Sequence, residues 1–146
     1  MIIKQNFPLK KFTTMAMGGP AKYFLTVKSD QELLDALQFA KKKGLSWYVV
    51  GEGSNLIVND LGSRGVIIRM QILDFRFQNG VATLGSGNNL LKTIFRLNRL
   101  GLGGLEKMAG IPGTVGGAIY GCAGAYGQEI KDRLKFAVVV TKGPSA

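Results

Sequence analysis

Histidine is absent from the 146 residues, which removes His-based catalytic triads and the imidazole ligands of most zinc sites. Cysteine occurs once, as Cys122. A single thiol forms no internal disulfide, in keeping with a reducing compartment. With no evident base beside it, Cys122 reads as an inert small residue more readily than as a nucleophile. No metal ion is expected. Apolar runs are short: none reaches the ~18 residues that a membrane span requires. Met1-Ile2-Ile3-Lys4-Gln5-Asn6 also lacks the long apolar segment of a secretory signal. The expectation is a cytoplasmic protein with no membrane partner.

Acidic residues are scarce as well, nine against 19 Lys and Arg, for a formal net charge of +10. Such a balance suits nucleic acid, an anionic small molecule or a solubilising surface. The basic residues are scattered, and the one run, Lys41-Lys42-Lys43, closes a predicted helix where cations favour the C-terminal dipole. No recognition motif accompanies the charge, so a nucleic-acid partner is not expected. Two common phosphate fingerprints are missing too. G-x-G-x-x-G fails on its third glycine, because Gly51-Glu52-Gly53 leads to Leu56 and Gly85-Ser86-Gly87 leads to Leu90. No G-x-x-x-x-G-K-[ST] occurs, which excludes a P-loop kinase or GTPase.

What the chain has in abundance is glycine. Of 21 glycines, ten stand at positions 101, 103, 104, 110, 113, 116, 117, 121, 124 and 127. Glycine at that density weakens helix and strand alike, but it lets backbone N–H groups approach an extended anion with no Cβ in the way. A pyrophosphate is the obvious candidate, which makes a nucleotide-cofactor cradle the first reading.

Residues 22–27 read as a strand rich in aromatic and β-branched side chains. Ser29-Asp30-Gln31-Glu32 matches a capping box, Leu33, Leu34, Leu37 and Ala40 follow at helical spacing, and Gly44 stops the helix. Trp47-Tyr48-Val49-Val50 predicts a strand buried on both faces. Strands are also expected at 56–58, 65–69 and 134–140. Asn79-Gly80 between 75–77 and 81–84 signals a hairpin, and 88–100 predicts a second helix ending at Gly101. Helices between clustered strands indicate an α+β fold, with a first lobe over residues 1–73 and a second over 74–146.

Each candidate site has a plain structural alternative. The loop Gly51-Glu52-Gly53-Ser54-Asn55 follows a strand directly, where open sheets present loops to ligands; a polar turn is the other reading. Pro112-Gly113-Thr114-Val115-Gly116-Gly117-Ala118 carries a helix-opening proline, a hydroxyl and free backbone, or else packs tightly against a helix. Tyr126, between Ala125 and Gly127, stacks on or hydrogen-bonds a ligand, or is a packed aromatic with its hydroxyl satisfied. Glu52 and Glu129 are candidate acids, Glu129 reading as solvated.

Five ordered motifs resemble the UDP-N-acetylenolpyruvoylglucosamine reductase (MurB) family over residues 6–140. They are Thr13-Thr14 with Gly18-Gly19-Pro20-Ala21, Val50-Gly51-Glu52-Gly53-Ser54-Asn55-Leu56, Gly104-Leu105-Glu106, Ala109-Gly110-Ile111-Pro112-Gly113-Thr114-Val115-Gly116-Gly117-Ala118, and Ala123-Gly124-Ala125-Tyr126-Gly127. The resemblance implies a two-lobed α+β domain holding non-covalent FAD, with the pyrophosphate on loops 51–55 and 112–118. The implied cofactor contacts run over Gly51 to Leu56, over Ala109 to Thr114 with Gly116, Gly117 and Ala118, and over Gly124, Ala125 and Tyr126. It also implies an NADPH-dependent reduction of the enolpyruvyl double bond of a UDP-sugar, giving UDP-N-acetylmuramate for peptidoglycan. Two departures stand out: Cys122 occupies the place of the family's Asn, and the family's catalytic Arg, Ser and Glu lie beyond residue 146, with its substrate-binding domain. The chain is therefore expected to be the FAD-binding part of a longer enzyme. An FAD oxidase of the same broad flavoprotein group, and a non-catalytic nucleotide- or nucleic-acid-binding module, are the alternative readings.

Overall fold

The computed structural model describes residues 1–141. Strand β1 (Ile2–Pro8) leads through a single 3-10 turn, Leu9–Lys11, into β2 (Pro20–Val27). Helix α1 (Asp30–Lys42) follows, then β3 (Trp47–Val50) and β4 (Ser63–Met70). These four strands form one sheet in the order β1-β2-β4-β3, with β1 antiparallel to β2 and the other two pairings parallel. Beyond it come the hairpin β5 (Phe75–Gln78) and β6 (Val81–Leu84), helix α2 (Leu90–Arg99), helix α3 (Val115–Tyr120) and the two-residue strands β7 (Gly124–Ala125) and β8 (Gln128–Glu129). The mixture of a sheet, hairpins and helices is the expected α+β architecture.

The strand period of two divides the sheet's side chains between its faces. Leu25, Val27, Val66 and Ile68 face α1, where Ala36 and Ala40 let the helix approach. Phe24, Ile67 and Val50 face the opposite side, with Leu9 and Ala21. A third cluster unites Leu90, Ile94 and Leu97 of α2 with Leu105, Met108, Val115, Ala118 and Ile130, and Phe75, Ala82 and Leu84 of the hairpin pack against it. The first two clusters draw on no residue after Met70, and the third on none before Phe75.

The helix signals hold in detail. The Ser29 hydroxyl accepts from the Glu32 N–H at 3.2 Å, while the Glu32 carboxylate reaches one residue further than a capping box requires, accepting from the Lys28 N–H at 2.8 Å. Helix α2 is shorter than expected and starts after an Asn89 N-cap. At Asn79 and Gly80 both φ angles are positive, 50° and 73°, as a type I′ hairpin turn demands.

Four expectations about strands change. β1 was not foreseen; its Lys, Gln and Asn residues mask a strand that forms by pairing with β2. β3 is not buried on both faces: it is the sheet edge, and Tyr48 and Val49 are about half exposed, at 56% and 49%. Residues 56–58 form no strand. Leu56 and Val58 turn inward and Ile57 outward, as in a strand, yet the segment joins no ladder among the described residues, although β3 keeps an unpaired side. Residues 134–140 form none either, because no neighbouring strand among the described residues offers them a ladder.

Two glycines with positive φ separate conformational from steric cost. A Cβ on Gly44 (φ 61°) meets nothing within 4 Å, whereas one on Gly62 (φ 73°) would lie 2.0 Å from the Pro20 carbonyl oxygen. Thermal melts should show Gly44→Ala costing about 1–2 kcal/mol, the left-handed backbone penalty alone, and Gly62→Ala costing well beyond that.

Candidate functional site

The loop after β3 and the loop before α3 touch. Both leave apolar elements abruptly: Val50 is the last buried residue of its strand, and Val115 is the first of its helix. Ser54 donates its hydroxyl hydrogen to the Pro112 carbonyl at 3.2 Å. A Cβ added to Gly51 would stand 2.4 Å from Thr114 Oγ1, and one added to Gly113 (φ 118°) would stand 2.7 Å from Ser54 Oγ. Glycine at 51 and 113 is therefore what allows one half of the chain to meet the other. Thr114, almost fully buried, caps α3 by accepting the Gly117 N–H at 3.2 Å. Thr14 secures the first loop from behind, donating its N–H to the Gly53 carbonyl at 3.2 Å.

Among the described residues, no hydrogen bond engages the backbone N–H groups of Glu52, Gly53, Ser54, Asn55, Gly113 or Thr114. Gly53 is in the left-handed region at φ 74°, the kind of backbone reversal that turns successive N–H groups into an anion-binding concavity. Glu52 places a carboxylate in this loop, yet its oxygens accept from Asn89 Nδ2 at 3.0 and 3.3 Å. The same Asn89 accepts the Lys92 N–H through Oδ1 at 3.1 Å, capping α2. The sequence offers no site role for Asn89 or Ser86, and Thr14 enters only through the Thr13-Thr14 motif of the resemblance. The cap position of α2 is the one sequence signal that pointed near Asn89.

The other candidates divide by what their atoms already do. Gly116 packs on Ser86, whose carbonyl takes its N–H at 2.8 Å, and Ala118 faces the third core cluster. Leu56 packs in the cluster around Phe24. Ala109 and Ile111 lie half-buried beside the third cluster, and Gly110 between them is open. Gly124, Ala125 and Tyr126 belong to the β7–β8 hairpin, where Tyr126 (φ 52°) and Gly127 (φ 79°) make the two-residue turn. The Tyr126 ring stands 86% exposed rather than packed, and Cys122 is exposed at φ 47°. Glu129 is not simply solvated: it is half-buried and paired with Lys131 at 2.5 Å. The hairpin is braced from the turn before it. Lys107 donates through Nζ to the Tyr126 carbonyl at 3.1 Å and through its N–H to Gln128 Oε1 at 2.8 Å. An open groove of about 450 Å³ lined by Tyr48, Ile57 and Arg64 lies beside β3 and does not include the glycine loops.

Glu106 accepts the Gly104 N–H on both oxygens at 2.9 Å. That bond first, then its own backbone N–H and the Gln128 amide, holds its carboxyl below the usual carboxylate range. A depressed carboxyl stabilises the fold above its unfolded pKa, and the contribution is lost as pH falls through the folded value. The Gly104 amide resonance should accordingly titrate at a pH below that of an unperturbed glutamate. At the joint itself, Gly51→Ala and Thr114→Ala should each cost about 1–3 kcal/mol, by overpacking and by loss of a cap. The double variant should cost less than the sum by at least about 0.5 kcal/mol, because removing Oγ1 makes room for the methyl group. Denaturant melts of the four proteins check this.

The joint's features fit a pyrophosphate-bearing cofactor on two counts: free backbone donors on a loop with no Cβ at its closest contacts, and an acidic side chain turned to a partner outside the loop. Comparison with known proteins points the same way. A family model described as "FAD binding domain" matches residues 21–143. UDP-N-acetylenolpyruvoylglucosamine reductase of Bacillus licheniformis is 41% identical over 140 residues, 94% of this chain and 46% of that protein. The same-named protein of Lactobacillus delbrueckii subsp. bulgaricus is 41% identical over 141 residues, 96% of this chain and 48% of its own. The crystal structure of UDP-N-acetylenolpyruvylglucosamine reductase from Thermus caldophilus matches with a TM-score of 0.70 at 34% identity, over 88% of this chain and 44% of that one. The chain spans about half the length of the curated relatives it matches. A family match over most of the chain, reaching across both glycine loops, makes this chain a member of the FAD-binding domain family.

Proposed function

We propose that this chain is the flavin-holding part of an NADPH-dependent reductase that converts UDP-N-acetylglucosamine enolpyruvate to UDP-N-acetylmuramate, a cytoplasmic step of peptidoglycan synthesis. The observation that carries the proposal is the joint of loops 51–55 and 112–114, where the N–H groups of Glu52, Gly53, Ser54, Asn55, Gly113 and Thr114 meet no acceptor among the described residues. The relatives' shared name supplies the reaction class.

In this reading residues 1–73 and 74–146 are two lobes, and FAD lies against their junction. Backbone N–H groups of Glu52, Gly53, Ser54, Asn55, Gly113 and Thr114 bind the pyrophosphate, with the Ser54 hydroxyl and Asn55 amide beside them. Residues 109–111, 116–118 and 124–126 line the rest of the cofactor, Tyr126 offering an exposed ring to stack on it. When bound, the flavin supplies the hydride chemistry of such a reductase. What these residues contribute is orientation and charge neutralisation by fixed dipoles, which need no reorganisation. The excess of basic residues favours encounter with phosphate-bearing ligands, a nucleotide sugar and NADPH. The partners are small molecules, with neither nucleic acid nor membrane. No helix among the described residues is long and apolar enough to cross a membrane.

The purified chain should show flavin absorption bands, and after heat denaturation and removal of precipitate the bands should stay in the supernatant, marking non-covalent FAD. A chain that is colourless and takes up no added FAD would overturn the flavin reading. Flavin that precipitates with the protein would point to a covalent link, for which Cys122 is the one thiol, and so to the oxidase alternative.

A further inference from the structure

A carboxylate in the middle of an anion-binding loop is a contradiction that the structure has to resolve. Glu52 sits between Gly51 and Gly53, and a free carboxylate there would repel a pyrophosphate and compete for the same N–H groups. It does neither. Its oxygens accept from no N–H of their own loop, and both lie within hydrogen-bond distance of Asn89 Nδ2. Asn89 is well placed for this because its other amide atom is already committed. Oδ1 accepts the Lys92 N–H at the start of α2, so Nδ2 is left facing outward as a donor. The backbone at Asn89 is held as well, since it bridges Thr114 through Leu90 N–H to Gly113 O at 2.9 Å and Val115 N–H to Asn88 O at 2.8 Å. One asparagine thus stands between the two glycine loops, opposite Thr114 through the backbone bonds of its neighbours Asn88 and Leu90 and bonded to Glu52 through its own amide.

We infer that Asn89 is a positioning residue for the anion cradle: its amide ties the Glu52 carboxylate to the start of α2 and so keeps the 51–55 loop open to a phosphate-bearing ligand. The inference rests on the flavin reading above and adds to it a residue outside the glycine motifs. It makes the charge on Glu52 harmless only while the donor at position 89 is present. Removing the donor frees the carboxylate to fold onto its own loop. Removing the charge makes the donor dispensable.

The experiment uses the full chain in three variants, N89S, E52Q and N89S/E52Q, with FAD as the probe. Serine caps a helix about as well as asparagine, so the flavin-free melting temperature of N89S should stay close to that of the parent. Its Kd for FAD, read from quenching of flavin fluorescence, should rise about three- to tenfold. E52Q should bind as tightly as the parent or more tightly, and N89S/E52Q should return to within about twofold of E52Q. That rescue is the decisive readout, since a purely structural role for Asn89 predicts a weakened double variant with a lowered melting temperature. N89S binding FAD as the parent does, or a double variant as weak as N89S, overturns the inference while leaving the flavin reading intact. A parent chain that binds no FAD overturns both.

Discussion

Everything at the site depends on how closely two backbone loops approach each other. The loop after β3 and the loop before α3 leave room for no side chain at Gly51 or Gly113, where Thr114 Oγ1 and Ser54 Oγ occupy the space a Cβ would take. Hydrophobic burial builds each half of the chain separately, the sheet with α1 on one side and the α2–α3 cluster on the other. Burial is non-directional and fixes no such contact by itself. The joint is set instead by a few polar bonds from named residues: Ser54 to Pro112, Asn89 to Glu52, and the ladder fragment between 88–90 and 113–115. Because each is a directional bond of roughly 1 kcal/mol net, the geometry is defined without being rigid by brute stability.

The same closeness explains why the loops suit a phosphate. The loops leave backbone N–H groups without an acceptor among the described residues, and such N–H groups are the donors an anion needs. The chain's positive charge acts at longer range and on rate more than on placement. In the proposed reading, placement belongs to the backbone.

The sequence disclosed the two glycine segments that meet better than it disclosed the sheet. Glycine spacing points to 51–55 and 112–118 because close backbone contact requires glycine at 51 and 113, although Gly116 and Gly117 lie within α3 rather than in a loop. The Ser29 cap and the Asn79-Gly80 turn are likewise local and readable along a chain, whereas the caps at Asn89 and Thr114 were not read from it. What was not readable is pairing. β1 carries little strand character and forms by pairing with β2, while 56–58 and 134–140 carry it and join no ladder among the described residues. The Glu52–Asn89 bond spans 37 positions and has no periodic signature at all. Loops named by glycine are therefore legible one at a time, and their meeting is not.

The proposed function turns on one interaction, the binding of a pyrophosphate by the backbone of the joined loops. It is tested most directly by titrating ADP, which carries the pyrophosphate without the flavin, into isotopically labelled chain and following each amide resonance. The account predicts saturable shifts at Glu52, Gly53, Ser54, Asn55, Gly113 and Thr114. Shifts confined to the groove at Tyr48, Ile57 and Arg64, with those six amides unmoved, would contradict it.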